Sequence, residues 1–285
     1  ANTYILATRK REQEFAPDRE YMARQPIITE NMRSILVDWL IDVSVHFEVT
    51  DETLHLAISY IDRTLSKMTI DKTKLQLVGV TCMKIADVYN EKSREYYRQE
   101  NANEYAYITA DEYSGTQVVE MEKNILNILG FRLQSPTVVH FLKAYVMVMN
   151  LDDKVAKLAR YLADLMLLAY HSMMFPPSLL ASAIIFIAAK TLDHSIPAEA
   201  VTKSKQLFDW YTIKQFEDAC SHVRVNWIVA RSSQSFSRFD AVNGKHENHV
   251  PVDLRNAWPP VVQIRDLQEW WYSEVGQSDG NVYSQ

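Results

Sequence analysis

Apolar residues recur along this chain at spacings of three and four, the period of helices rather than strands. Met32, Ile35, Leu36, Trp39, Leu40, Val43 and Phe47 fall on one face of a helix that Thr29 can cap. Thr50-Asp51-Glu52 opens the next, with acids at the positive end of its dipole and Leu54, Ile58, Ile61 and Leu65 behind them. Asp71 opens a third, whose core face holds Leu75, Val78, Cys82, Ile85 and Tyr89. Residues 91–107 are polar and tyrosine-rich and read as a loop. Ser114 to Leu129 is helical again and stops at Gly130. Ser135-Pro136 reads as a helix start, and further helices are predicted at about 136–149, 153–172, 176–192, 197–208 and 212–230. Tyr4 to Phe15 forms a short polar helix ahead of them all.

The second set repeats the first. Ser114-Gly-Thr-Gln117 and Thr212-Ile-Lys-Gln215 are both capping boxes, in which hydroxyl and amide satisfy free backbone N–H groups reciprocally. They lie 98 residues apart, and at that offset Met121 meets Ala219, Ile125 meets Val223 and Leu129 meets Trp227. Gly79 and Ala86 fall opposite Ser182 and Ala189 at an offset of 103, where small residues allow a close helix approach. The expected fold is therefore all-α, with two tandem bundles of about five helices. The expected units are an N-terminal helix and lead-in (1–29), a first bundle (30–134), a second (135–231) and an extension (232–285). The extension carries Trp258, Trp270, Trp271 and Tyr272, too many aromatics for a disordered tail, so part of it should dock.

Composition narrows the chemistry. A net charge of −6 over 285 residues leaves no basic face for nucleic-acid phosphates. Cys82 and Cys220 are isolated in apolar helical contexts and read as buried thiols in a reducing compartment. The longest apolar stretch, Leu179 to Ala189, is too short to cross a membrane. No signal peptide opens the chain, and a start at Ala1 predicts that the natural N-terminus lies further upstream. Nucleophile elbows, phosphate loops and dinucleotide fingerprints are missing. His246-x-x-His249 is the one close histidine pair, in a Pro-flanked tail, and is not expected to hold a metal. Neither catalytic residues nor a cofactor are expected.

Several segments carry a resemblance to a known family. Met32-Arg-Ser-Ile-Leu-Val-Asp-Trp-Leu40 is similar to the signature opening the first cyclin box, and Tyr21 to Thr29 resembles the segment leading into it. Glu52-Thr-Leu-His-Leu-Ala57, Tyr60-Ile-Asp-Arg63, Lys74-Leu-Gln-Leu-Val-Gly79, Tyr107-Ile-Thr109 and Met121-Glu122 match further on, in order, across roughly residues 3–235. The pattern is most similar to mitotic A-type cyclins, with B-type next. The resemblance implies two tandem five-helix cyclin boxes. It also implies a regulatory subunit, in nucleus and cytoplasm, that activates a cyclin-dependent serine/threonine kinase.

As residues alone, Met32, Leu36 and Trp39 fit a core, although Leu40, Val43 and Phe47 already supply one and the apolar face is wider than a single contact needs. In cyclins the matching residues form a hydrophobic patch for Arg-x-Leu motifs of substrates and inhibitors. The resemblance thus implies a patch of Met32, Ile35, Leu36, Trp39, Gln76 and Asp42, with Asp42 where Glu is usual and Ala110 where another acid is common. It implies a kinase-facing surface of Val88, Tyr89, Glu91, Glu122, Leu126, Phe131 and Leu133, joined by Tyr4 and Ile5. Arg33 and Asp62 match an internal salt-bridged pair. Val88 departs from the family, which places there a Lys paired with the acid matching Glu122; Lys84, one turn earlier, can stand in. A cyclin-fold transcription factor similar to general factor IIB is the competing reading, but the chain has neither its basic face nor its Cys-rich zinc ribbon.

Overall fold

A computed structural model describes residues 2–91, 102–194, 211–232, 240–247, 249–251 and 255. Among these residues every regular element is helical. Helix α1 spans Asn2–Glu12 and runs into a 3-10 turn at Gln13–Phe15. Then come α2 (Glu30–His46), α3 (Asp51–Leu65), α4 (Leu75–Asn90), α5 (Ala102–Tyr107) and α6 (Gly115–Leu129). The second half holds α7 (Val138–Met149), α8 (Asp153–Leu168), α9 (Pro177–Thr191), α10 (Ile213–Ser232) and a short α11 (Asp240–Lys245). The stretch predicted as a helix at 197–208 and the tryptophans of the extension lie outside the described residues.

Each half is built around one helix that is apolar on nearly all sides, as a helix surrounded by others must be. In the first half this is α4, buried almost continuously from Leu75 to Asp87; in the second it is α9, buried from Ser178 to Ala189. Gly79 shows why small residues are needed there: a Cβ on it would lie 2.7 Å from Leu36 Cδ1, so α2 crosses α4 against bare backbone. Ala189, opposite Ala86 in the repeat, is likewise buried. Both predicted capping boxes form, Ser114 N–H reaching Gln117 Oε1 at 2.8 Å and Thr212 N–H reaching Gln215 Oε1 at 2.9 Å. Met121/Ala219, Ile125/Val223 and Leu129/Trp227 are all buried.

Some boundaries differ from expectation, each for a local reason. Residues 102–107 form α5 rather than loop, because Tyr105 is held by tertiary contacts: its hydroxyl donates to Asp87 and its ring packs on Phe47 at 4.5 Å. Helix α4 begins at Leu75; Asp71 caps a separate 3-10 turn, Lys72–Lys74, by accepting from Thr73 N–H. Helix α7 begins at Val138, not Pro136, because the Thr137 N–H and hydroxyl both meet His140 Nδ1, the hydroxyl at 2.7 Å. The helix expected to reach residue 172 stops at Leu168 and continues as a 3-10 turn, Tyr170–Met174.

The ends of the chain tie the halves together. On α1, Glu12 accepts from Ser178 N–H (3.0 Å) and Ser178 Oγ (2.9 Å), so a carboxylate from the N-terminal helix caps the start of α9. Burial raises its pKa. Arg33 and Asp62 form a bidentate buried pair, 2.7 Å on each arm, and Arg33 Nη1 reaches Leu167 O at 2.8 Å across to α8. Tyr21 completes it, its hydroxyl 2.8 Å from Asp62 Oδ1. At the other end α11 packs on α2 and α8. Asp164, wholly buried on α8, there accepts from His55 (3.0 Å), Lys245 (2.8 Å) and His246 (2.8 Å), while Lys245 also reaches Asp51 at 2.7 Å. The Lys245 ammonium and the hydrogen bonds from His246 and His55 hold the Asp164 carboxyl well below the usual range despite its burial. His246 is therefore a structural hydrogen-bonding partner.

Candidate functional site: two apolar surfaces on the first half

The first surface is a groove between α2 and the turn leading into α4. It is lined by Met32, Ile35, Leu36, Trp39, Lys72, Thr73, Leu75 and Gln76 and has a volume of about 340 Å³. Thr29 fixes the start of α2 by accepting the Met32 N–H at 3.2 Å. Residues 32, 35, 36 and 39 then share one side at about 100° per residue. Their roles differ. Ile35 is 56% exposed, Met32 and Trp39 are half-buried, and Leu36 is buried against Gly79 as the floor of the groove. Leu36 is thus as much core as surface.

Asp42 lies one turn beyond Trp39 and is exposed. Two carboxylates not singled out in the sequence lie near it: Asp38, one turn back on α2, and Asp240 at the start of α11. Asp38 accepts the Ala241 N–H, but its Oδ1 is buried without a partner. Burial, then the charges of Asp42 and Asp240, push its carboxyl up to about 7. The Asp42 carboxyl is raised by burial and by Asp240. Asp38 and Asp42 show as a repeat of four in the sequence, whereas Asp240 joins them only through the fold.

The second surface lies where α4 and α6 end. Val88 is 47% exposed beside the exposed Tyr89, and Phe131 is 67% exposed with half-buried Leu126 and Leu133 nearby in the chain. Gly130 and Phe131 both adopt left-handed backbone, φ +60° and +55°, and the Phe131 N–H bonds back to Leu126 O at 3.0 Å. Glycine adopts this conformation freely; a phenylalanine pays about 1–2 kcal/mol for it. The strain turns a large aromatic ring outward immediately after the helix stop.

The polar residues of this surface are already engaged. Lys84 Nζ bonds Glu122 Oε1 at 2.7 Å, linking α4 to α6, with the lysine side chain nearly buried. Glu91 accepts from Thr50 N–H at 2.7 Å and Thr53 Oγ1 at 2.6 Å, closing the start of α3. Tyr4 is exposed on α1, but Ile5, expected beside it at a partner's surface, is completely buried. Facing inward from a helix laid against the body, it is an anchor of α1. Among the described residues no cluster of histidine, cysteine or carboxylate side chains has metal-binding geometry. Cys82 and Cys220 are buried, and burial raises both thiol pKa values.

The two tandem helical units have the architecture of the cyclin fold. The family model "Cyclin, N-terminal domain" matches residues 4–134 and "Cyclin, C-terminal domain" matches residues 136–250, so the chain belongs to the cyclin family. Cyclin-A2 of Gallus gallus is 41% identical over 203 residues, 71% of this chain and 49% of that protein. Cyclin-A3-1 of Oryza sativa subsp. japonica is 34% identical over 239 residues, 82% of this chain and 61% of that protein. The chain thus spans between about half and three-fifths of the length of these relatives. A viral cyclin from herpesvirus saimiri shares the fold with a TM-score of 0.62 at 19% identity, covering 77% of this chain and 97% of that one. A chain of the yeast RNA Pol II CTD kinase CTDK-1 complex superposes with a TM-score of 0.54 at 16% identity, covering 98% and 91%.

Proposed function

We propose that this chain is a non-catalytic cell-cycle regulator, working in nucleus and cytoplasm, that binds and activates a cyclin-dependent serine/threonine kinase and recruits Arg-x-Leu substrates or inhibitors through the α2 groove. Its two boxes are taken to run 30–134 and 135–231. The observation that carries the kinase reading is Phe131: a bulky ring held outward in left-handed backbone, in an apolar set with Val88, Tyr89, Leu126 and Leu133. A cyclin acts by binding the kinase conformation whose C-helix is swung in, which keeps the phosphate-holding Lys–Glu pair intact. Moving such an equilibrium from 1:99 to 99:1 takes about 5.5 kcal/mol of differential binding. At roughly 25 cal/mol per Å², a few hundred Å² of apolar contact supply that before entropic costs.

The α4 helix suits a kinase surface more apolar than usual. Val88 offers no cation, and Lys84 both neutralises Glu122 and stands in for the family's lysine. The groove contributes tethering: burying one leucine of a motif yields about 1.5–3 kcal/mol, which raises local substrate concentration.

The test is a panel of purified cyclin-dependent kinases assayed with and without the chain. At least one kinase should gain about tenfold or more in activity, equivalent to ~1.4 kcal/mol. Phe131→Ala should weaken that complex by about 2 kcal/mol, the scale of an interface anchor, while leaving the urea midpoint of the free chain unchanged or raised. Failure of every kinase to respond sinks the proposal.

A further inference from the structure

We propose that a cavity at the junction of the two halves is a binding site for a small uncharged ring compound bearing one oxygen, such as a phenol. It is separate from both surfaces described above: none of its lining residues belongs to the α2 groove or to the α4–α6 surface.

The cavity has a volume of about 150 Å³. A space of about that size lined by aliphatic and aromatic side chains stays dry and accepts a benzene ring. Ile58 of α3, Met166 and Leu167 of α8 and Leu180 of α9 supply the hydrocarbon here, and Phe15 adds an aromatic wall from the chain that joins α1 to α2. Three features keep the space from collapsing. The Phe15 ring is held in place by the guanidinium carbons of Arg11, Arg63 and Arg132, at 5.4, 5.1 and 4.8 Å from its centroid. Pro17, Pro136, Pro176 and Pro177 stiffen the connecting segments that border it, because proline fixes its own φ. The bidentate Arg33–Asp62 pair, with Arg33 Nη1 on Leu167 O, spaces α8 from α2 and α3. Gln13, Ala16 and Arg19 also line it and are exposed, which puts the mouth at the chain leaving α1.

The charges in the wall are already engaged. Asp62 holds Arg33 and Tyr21, Glu12 holds Ser178, and His55 holds Asp164. Arg19, the remaining charged residue of the lining, is exposed at the mouth. An ion in the interior would therefore lose its hydration and find no free counter-charge, so the fitting ligand is uncharged. Its oxygen is called for by two serines. Ser59 Oγ and Ser135 Oγ lie 3.0 Å apart in the wall, and Ser135 is only 4% exposed. One hydroxyl donates to the other, and among the described residues neither side chain has a further partner. One hydroxyl hydrogen is thus left over in a buried position, where a donor without an acceptor is costly. A ligand oxygen accepts that hydrogen while the ring lies against Ile58, Leu167 and Phe15.

Ligand-observed NMR titrations on the full chain test this with three probes of similar size: phenol, toluene and benzoate. Phenol should bind saturably with a Kd on the order of 1 mM, a modest affinity for so few non-hydrogen atoms. Toluene, which fills the space without the oxygen, should bind about fivefold more weakly, the scale of one neutral hydrogen bond. Benzoate should bind at least tenfold more weakly than phenol, because its carboxylate has no partner inside. Ser135→Ala should bring phenol down to the affinity of toluene and leave toluene within twofold. Ala163→Leu, at a fully buried position of the wall, should abolish binding of both by filling the space; circular dichroism checks that the variant folds, and if it does not, Ser135→Ala decides alone. Absence of saturable phenol binding overturns the inference. So does benzoate binding as tightly as phenol, or a preference for phenol over toluene that survives Ser135→Ala, or phenol binding unchanged in a folded Ala163→Leu.

Discussion

Helices α6 and α10 begin alike and end differently. Both open on a hydroxyl-to-glutamine capping box and both bury the same positions, 98 residues apart. Helix α6 then stops at Leu129, passes through two left-handed residues and throws Phe131 into solvent. Helix α10 has Ile228 where α6 has Gly130, runs on to Ser232, and puts Trp227 where α6 has Leu129. Trp227 is fully buried, with its indole N–H on Arg255 O at 3.1 Å. The repeat thus keeps its starts and its core and varies its stops. An exposed ring arises in the first half from a helix stop, whereas the second half uses the same place to hold the backbone at Arg255.

If that equivalence is real, Trp227→Ala should be the more damaging core truncation. It removes a fully buried ring and orphans the Arg255 carbonyl, at a cost of about 3–5 kcal/mol, against about 2–4 kcal/mol for Leu129→Ala. Urea denaturation of both variants measures this; a Trp227→Ala loss below that of Leu129→Ala would show that the two sites are not counterparts.

The halves should also part company in acid. Their first helices are capped differently: α2 by Thr29 alone, α7 by Thr137 with His140. Burial, then the neighbouring His55, push the His140 imidazole down to about 4, and His222 on α10 is also held at about 4, by burial and His171. Each fold-state value lies below the ordinary 6.5 of an unfolded histidine. Between pH 6.5 and 4 the unfolded chain therefore takes protons that the second half refuses, and stability falls as pH drops through that window. The slope should flatten in His140→Gln, which removes about 2 kcal/mol of the loss between pH 7 and 4. Melting temperatures across that range check it; an unchanged slope would mean that His140 is not held neutral.

The smallest effect is the most direct test of the repeat. Ser114→Ala and Thr212→Ala should each cost about 1 kcal/mol, as lost N-caps do. A marked inequality between them in matched denaturation curves would argue that only one box supports its helix.

Local signals made much of this legible. Helix periodicity, the two capping boxes and the Gly130 stop are written in residues a few positions apart, so the tandem architecture and the cyclin resemblance follow from short windows. Features that depend on distant partners were hidden. Helix α5 looked like loop because its stability comes from Tyr105 meeting Asp87 and Phe47. Ile5 looked available because a polar helix gives no hint that its one buried stripe faces the body. In the groove, Met32, Ile35, Trp39 and Gln76 could be placed from α2 and α4 alone, but Leu36 becomes floor only because Gly79 lets the helices touch. Asp240 is separated from Asp42 by almost 200 residues, and no pattern in either segment announces the other.

The Asp164 cluster constrains the order in which this chain can finish folding. A chain is made from its N-terminus, so Asp51, His55 and Asp164 emerge well before Lys245 and His246. Until those last residues arrive, closing α3 against α8 would bury the Asp164 carboxylate with a single imidazole for company, an expensive state for a charge. The contact of α3 with α8 at Asp164 is therefore expected to be the last to close, when residues 240–246 bring Lys245 and His246 to it. A premature stop between Ser232 and Lys245 would leave α1 to α10 in the chain but take Lys245 and His246 away from the buried Asp164 carboxylate.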